Sequence, residues 1–107
     1  MRTSCLNDRQ IRPTDFRRWD EARRCFAQGK DRTKVDQLKE SIDKDGLEEP
    51  ILLCISPRWL DIYVSDGHHR AIAVMELGLL RFPFRWHWVR GGVHIEHEPF
   101  PYELLER

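Results

Sequence analysis

The chain has 107 residues, 40% of them hydrophobic and 34% charged, with 18 basic side chains against 18 acidic. That length suits one compact domain and not two, and the composition is that of a globular protein rather than a disordered tail. No apolar run approaches the roughly 20 residues of a membrane span, and "MRTSCLNDRQ" lacks the apolar core of a signal peptide, so no membrane and a cytoplasmic location are expected. Three scattered cysteines, Cys5, Cys25 and Cys54, cannot all pair internally and form no C-x-x-C, which argues against a disulfide framework or a zinc knuckle.

The neutral total hides an asymmetry. Residues 1–32 carry nine Arg or Lys against five acids, and the remainder carries nine against thirteen. A basic end suits an anionic partner such as DNA, with Arg17, Arg18, Arg23 and Arg24 of that end, and Arg81 and Arg85 of a later strand face, as the candidate phosphate contacts. It equally suits a solvated arginine-rich face matched to an acidic half.

In chain order, "PTDFRRWDEARRCFAQG" reads as a helix capped by Thr14, with Phe16, Trp19, Arg23 and Phe26 on one side and Gly29 at its end. "RTKVDQLKESIDKDGL" reads as a second helix. Thr33 is its expected cap, Val35, Leu38 and Ile42 repeat at helical spacing, and Gly46 stands where a left-handed residue is needed. "PILLCI" is a buried strand holding Cys54, "SPRW" a turn, and "LDIYVS" a second strand with Ile62 and Val64 on one face. Ala71, Ile72, Val74 and Met75 mark a third helix ending at Gly78. "RFPFRWHWV" alternates, with Phe82, Phe84, Trp86 and Trp88 on one face and Arg81, Arg85 and His87 on the other, and Pro83 makes it an edge strand. "RGGV" is a hairpin turn from which "VHIEHE" pairs back, and "PYELLER" supplies a last helical turn. The expected fold is a small mixed α/β (α+β) domain.

The chemistry concentrates where the second strand meets the third helix, at "SDGHHR". A helix N-terminus presents unpaired N–H groups and partial positive charge, which attract phosphate. Gly67 admits close approach, Arg70 offers a forked donor, and His68 and His69 donate hydrogen bonds or gain charge beside an anion. Asp66 would repel phosphate, so it suits holding a magnesium ion, orienting a histidine or taking a proton. The plain alternative is a turn that starts a helix. His87, His94 and His97 fit solvated strand positions better than a metal site, because residues three apart on a strand face opposite sides.

"LKESIDKDGLEEPILL", "YVSDGHHRAIAVMELG" and "FPFRWHWV" together resemble the N-terminal domain of the ParB and sulfiredoxin superfamily over about residues 34–89. The resemblance implies a mixed sheet packed with helices and a nucleotide pocket. Gly67, His68, His69 and Arg70 would contact phosphates, and Gly46, Pro50 and Ile51 would line the pocket. It places the domain over 34–107, and the charge count and pattern add a basic, partly helical segment over 1–33, in one compact unit. The departures narrow the activity. His68 replaces the glutamate that ParB proteins use in CTP hydrolysis, and it also stands where sulfiredoxin has its reactive cysteine. Asp-Gly-His-x-Arg is the pattern of members that include ADP-dependent free serine kinases. Those use a further upstream glutamate, for which Glu21 is a poor candidate, while Glu48 and Glu49 lie elsewhere in the pattern.

The reading these residues support is a nucleotide-binding protein for CTP, ATP or ADP, with Mg2+. Asp66 would be the metal ligand, and Asp66 and His68 the candidates for hydrolysis or phosphotransfer, with turnover left open. The rivals are a DNA-binding protein or ParB-like nuclease, and a non-catalytic adaptor that binds a protein through Trp59, Trp86 and Trp88. For those tryptophans, core packing is the plainer role.

Overall fold

In a computed structural model, which describes residues 1–90 and 94–106, four strands form one sheet in the order β1-β3-β2-β4. The strands are β1 (Ile11–Pro13), β2 (Ile51–Ile55), β3 (Ile62–Asp66) and β4 (Phe84–Trp88), and the helices are α1 (Trp19–Cys25), α2 (Gly29–Asp45) and α3 (His68–Leu77). The central pair β2 and β3 is antiparallel, while β1 on β3 and β4 on β2 are parallel. This is the expected mixed α/β domain.

Period-two burial builds the core. Leu53, Ile62, Val64 and Ile11 are essentially without exposure, and Ala71, Ile72, Ala73 and Val74 of α3 meet them from one side, joined by Val35 and Ile42 of α2. Burying a large aliphatic side chain contributes roughly 1.5–3 kcal/mol, so this one layer of contacts dominates the stability. Gly78, in a left-handed conformation at φ 68°, ends α3, and Gly46 at φ 81° ends α2.

The boundaries differ from the sequence reading in three places. Thr14 caps no helix. Its hydroxyl donates to the Val64 carbonyl and its N–H to His68 Nε2, 3.0 Å away. The residues before it, "IRP", form a strand beside β3 that is too short to show periodicity. The first helix therefore begins only at Trp19, whose N–H donates to Asp8 and whose indole donates to the Ile11 carbonyl. The second helix begins at Gly29 rather than Thr33, and Thr33 turns its hydroxyl back to the Gly29 carbonyl.

At the other end, β4 is an edge strand, as Pro83 requires. "VHIEHE" does not pair back as a strand over its described residues; its Glu96 N–H donates to the Trp86 carbonyl, and the Trp86 indole donates to the Glu98 carbonyl. The "RGGV" turn lies largely outside the described residues. His87 is buried rather than solvated. Trp86 is buried and Trp88 packs against the core, while Trp59 is 63% exposed.

Candidate functional site

The sheet and helices converge on the corner between β3 and α3. Gly67 there has φ 107° and ψ 31°, and no side chain caps the α3 N-terminus. A cleft of about 710 Å³ opens over this corner, walled by α2 on one side and by the loop from Gly46 to Glu49 on another. Asp15 and Phe16 of the N-terminal segment close a third side.

Arg70 lies across the mouth of the corner. Its Nη1 donates to Glu49 at 2.8 Å and its Nη2 to Asp66 at 3.2 Å. Its guanidinium folds back over Gly67 so closely that a Cβ there would sit 3.0 Å from Nη2 and 3.1 Å from Nε. That Nε is buried and has no hydrogen-bond partner among the described residues. A buried unsatisfied donor beside two exposed carboxylates is a group with binding capacity to spare.

The histidines are held differently. His68 is packed against Phe16 and Trp19. Its Nε2 accepts the Thr14 N–H, so the ring is neutral there. Burial pushes its pKa down and outweighs the pull of Asp15 and Asp66 in the other direction. His69 stacks on Phe26 with centroids 4.4 Å apart, and its Nε2 donates to Asp31 at 2.9 Å. The N-terminal segment thus grips both histidines through Thr14, Phe16, Trp19, Phe26 and Asp31. No pattern in the first thirty residues announced that role, because it rests on contacts distant in sequence.

The other nominated residues are dispersed. Asp66 is exposed at the corner, Gly46 lines the cleft, and Pro50 is half-buried beside Glu49. Ile51 is fully buried, so it shapes the cleft only through the core. Arg17, Arg18, Arg24 and Arg85 are exposed away from the cleft walls, while Arg23 and Arg81 line a second groove with Arg2. No group of three or more metal-type ligands occurs among the described residues.

Two residues that the sequence reading set aside belong to the site. Glu48 and Glu49 both line the cleft, and Glu49 is bonded to Arg70. Their position became visible only once the loop after Gly46 was seen to fold back toward α3. Ser65 also lines the cleft, one residue before the motif that drew attention.

No family model matches the chain, and no curated protein matches it. Among solved structures, the crystal structure of sulfiredoxin from Arabidopsis thaliana matches with a TM-score of 0.51 and 27% sequence identity, over 80% of this chain and 82% of that one. The chain therefore has a sulfiredoxin-like α/β fold, in agreement with the fold its motifs implied. No helix among the described residues is long and apolar enough to cross a membrane.

Proposed function

We propose that this protein binds the polyphosphate of a nucleotide at the β3–α3 corner, together with a divalent cation. The observation that carries this reading is the uncapped N-terminus of α3 opening into a cleft, with the Arg70 guanidinium folded over Gly67. Free N–H groups and the helix dipole favour an anion there, and a forked guanidinium matches phosphate oxygens.

The charge balance makes the cation part of the proposal. Asp15, Glu48, Glu49 and Asp66 line the cleft against Lys34 and Arg70 as permanent cations. A triphosphate alone meets an acidic wall. Magnesium is held by one or two carboxylates plus phosphate oxygens rather than by an all-protein cage, and Asp66 and Glu49 are the carboxylates that fit. Arg70 would then exchange these two acids for phosphate. Leu38, Leu47 and Phe16 supply the apolar walls against which a base or sugar packs.

Thermal melting with CTP, ATP, ADP and GTP, with and without magnesium, tests the reading in wild type and Arg70→Ala. Ligand at 100 times its dissociation constant adds about 2.7 kcal/mol. The expected result is stabilisation by a nucleotide in magnesium, lost in Arg70→Ala. Absence of any shift at millimolar ligand in both metal conditions refutes it.

A further inference from the structure

His87 is the one polar side chain among the described residues that is fully buried, at 5% exposure. Its two ring nitrogens have distinct partners. Nδ1 lies 3.0 Å from the Trp88 carbonyl, which can only accept, so Nδ1 carries a proton. In the neutral ring Nε2 is then an acceptor, and Ser65 Oγ lies 3.2 Å from it. In that tautomer the Ser65 hydroxyl donates to an imidazole whose other nitrogen is fixed by a hydrogen bond, the arrangement that activates a hydroxyl.

Two further observations place that hydroxyl. Ser65 lines the cleft, immediately before Asp66 and Gly67. It is also the extra residue of a β-bulge, because Leu53 pairs with Val64 while Leu52 pairs with Asp66. Bulges re-aim a side chain and recur beside active sites. Here the bulge lets Ser65 on β3 and His87 on β4 meet across β2, at the end of the strand that faces the α3 N-terminus.

We infer that Ser65 is a nucleophile activated by His87, and that it accepts the terminal phosphoryl group of the bound nucleotide. The inference rests on the nucleotide reading above for the identity of the donor only. In the step, the Ser65 Oγ–P bond forms and the bond from that phosphorus to the bridging oxygen breaks. The shortened nucleotide leaves, and the serine proton passes to His87 Nε2. The Trp88 carbonyl holds Nδ1–H throughout, so the imidazolium that forms is oriented. Asp66 and the α3 N–H groups lie beside the phosphoryl group.

A fluorophosphonate probe tests the pair without any nucleotide. Its phosphorus bonds to Oγ, fluoride leaves, and the proton goes to His87. The expected result is one adduct, mapped to Ser65, that is absent in Ser65→Ala. Labelling should slow by about a hundredfold or more in His87→Gln, the usual contribution of a general base. No adduct on Ser65 in wild type, or labelling indifferent to His87→Gln in a variant that melts normally, overturns the dyad. Should His87→Gln fail to fold, wild type against Ser65→Ala still decides.

Incubation with each nucleotide and magnesium tests the donor. Phosphoserine at 65, or hydrolysis that vanishes in Ser65→Ala, supports the transfer. A nucleotide that stabilises the protein yet gives neither outcome refutes the transfer while leaving the binding site standing. Stabilisation by none refutes the nucleotide reading, and with it the donor, and leaves the probe to decide the dyad.

Discussion

Gly67→Ala is the substitution that asks most directly whether the corner is built around a close approach. Two effects oppose alanine at this position. The first is backbone strain at φ 107°, well outside the left-handed well near φ +57°. Residues held in such regions cost roughly 1–3 kcal/mol. The second is the new Cβ, 3.0 Å from Arg70 Nη2 and 3.4 Å from Cζ. Those atoms end a flexible side chain, so Arg70 moves and its two ion pairs break. Asp66 and Glu49 are 76% and 78% exposed, and such pairs are worth about 0–1 kcal/mol each. Strain therefore supplies most of a total of about 1–5 kcal/mol.

Gly78→Ala is the control. Its φ is 68° and its Cβ would meet nothing within 4 Å, so it carries only the ordinary left-handed cost of about 1–2 kcal/mol. One kcal/mol moves the melting temperature of a domain this size by about 4–8 °C, which scanning calorimetry resolves. The excess of Gly67→Ala over Gly78→Ala should shrink in an Arg70→Ala background, where the displaced group is gone. Equal losses for the two glycines, or an excess that does not shrink at all without Arg70, would refute the account of Arg70 folded over Gly67.

Three further outcomes are expected. His68 has its pKa lowered from 6.5, chiefly by burial, so the unfolded chain takes up the proton first. The stability from its neutral form is complete above pH 6.5 and is lost as pH falls toward the folded-state pKa. Melting temperature against pH should therefore fall less steeply over that range in His68→Gln. Alkylation of the native protein should modify exposed Cys25 first and spare buried Cys5 and Cys54 until unfolding, as peptide mapping would show, because burial also raises the Cys54 thiol pKa. Arg32 joins α2 to Glu76 of α3 at 2.9 Å while also holding Asp36, and Lys39 adds a third contact. Glu76→Gln should cost about 1 kcal/mol and the loss should shrink in high salt, since these groups are only partly buried.

Elements held by their own periodicity were legible in the sequence. α2, β2, β3 and α3 each carry apolar residues at the spacing of their type, and glycines at positive φ close the two long helices. The corner was legible too, because strand, glycine and helix start are consecutive in the chain. What escaped depends on contacts between distant segments. β1 has three residues and exists because β3 offers it an edge. Thr14 looked like a cap and is a link to Val64 and His68. Glu49 joins the site through a loop whose path no local pattern dictates. His87 alternates with apolar neighbours as an outward residue would, and is buried because Ser65 and the Trp88 carbonyl satisfy both its nitrogens.

The energetics of Arg70 bear on how the site would work. Its guanidinium side chain is 16% exposed while both of its carboxylate partners stand largely in water. The desolvation cost therefore falls on the cation, and its partners return little. An arrangement of that kind is poised for exchange. A ligand that brings phosphate oxygens to Arg70, and a metal ion to Asp66 and Glu49, satisfies three groups at once and engages the buried Nε as well. A bare anion offers only the first of these and leaves two carboxylates beside it. If the corner binds a nucleotide as proposed, coupling between cation and nucleotide follows from this arrangement. It should appear as a nucleotide affinity that falls steeply when magnesium is removed, and less steeply once Asp66 and Glu49 are changed to Asn and Gln.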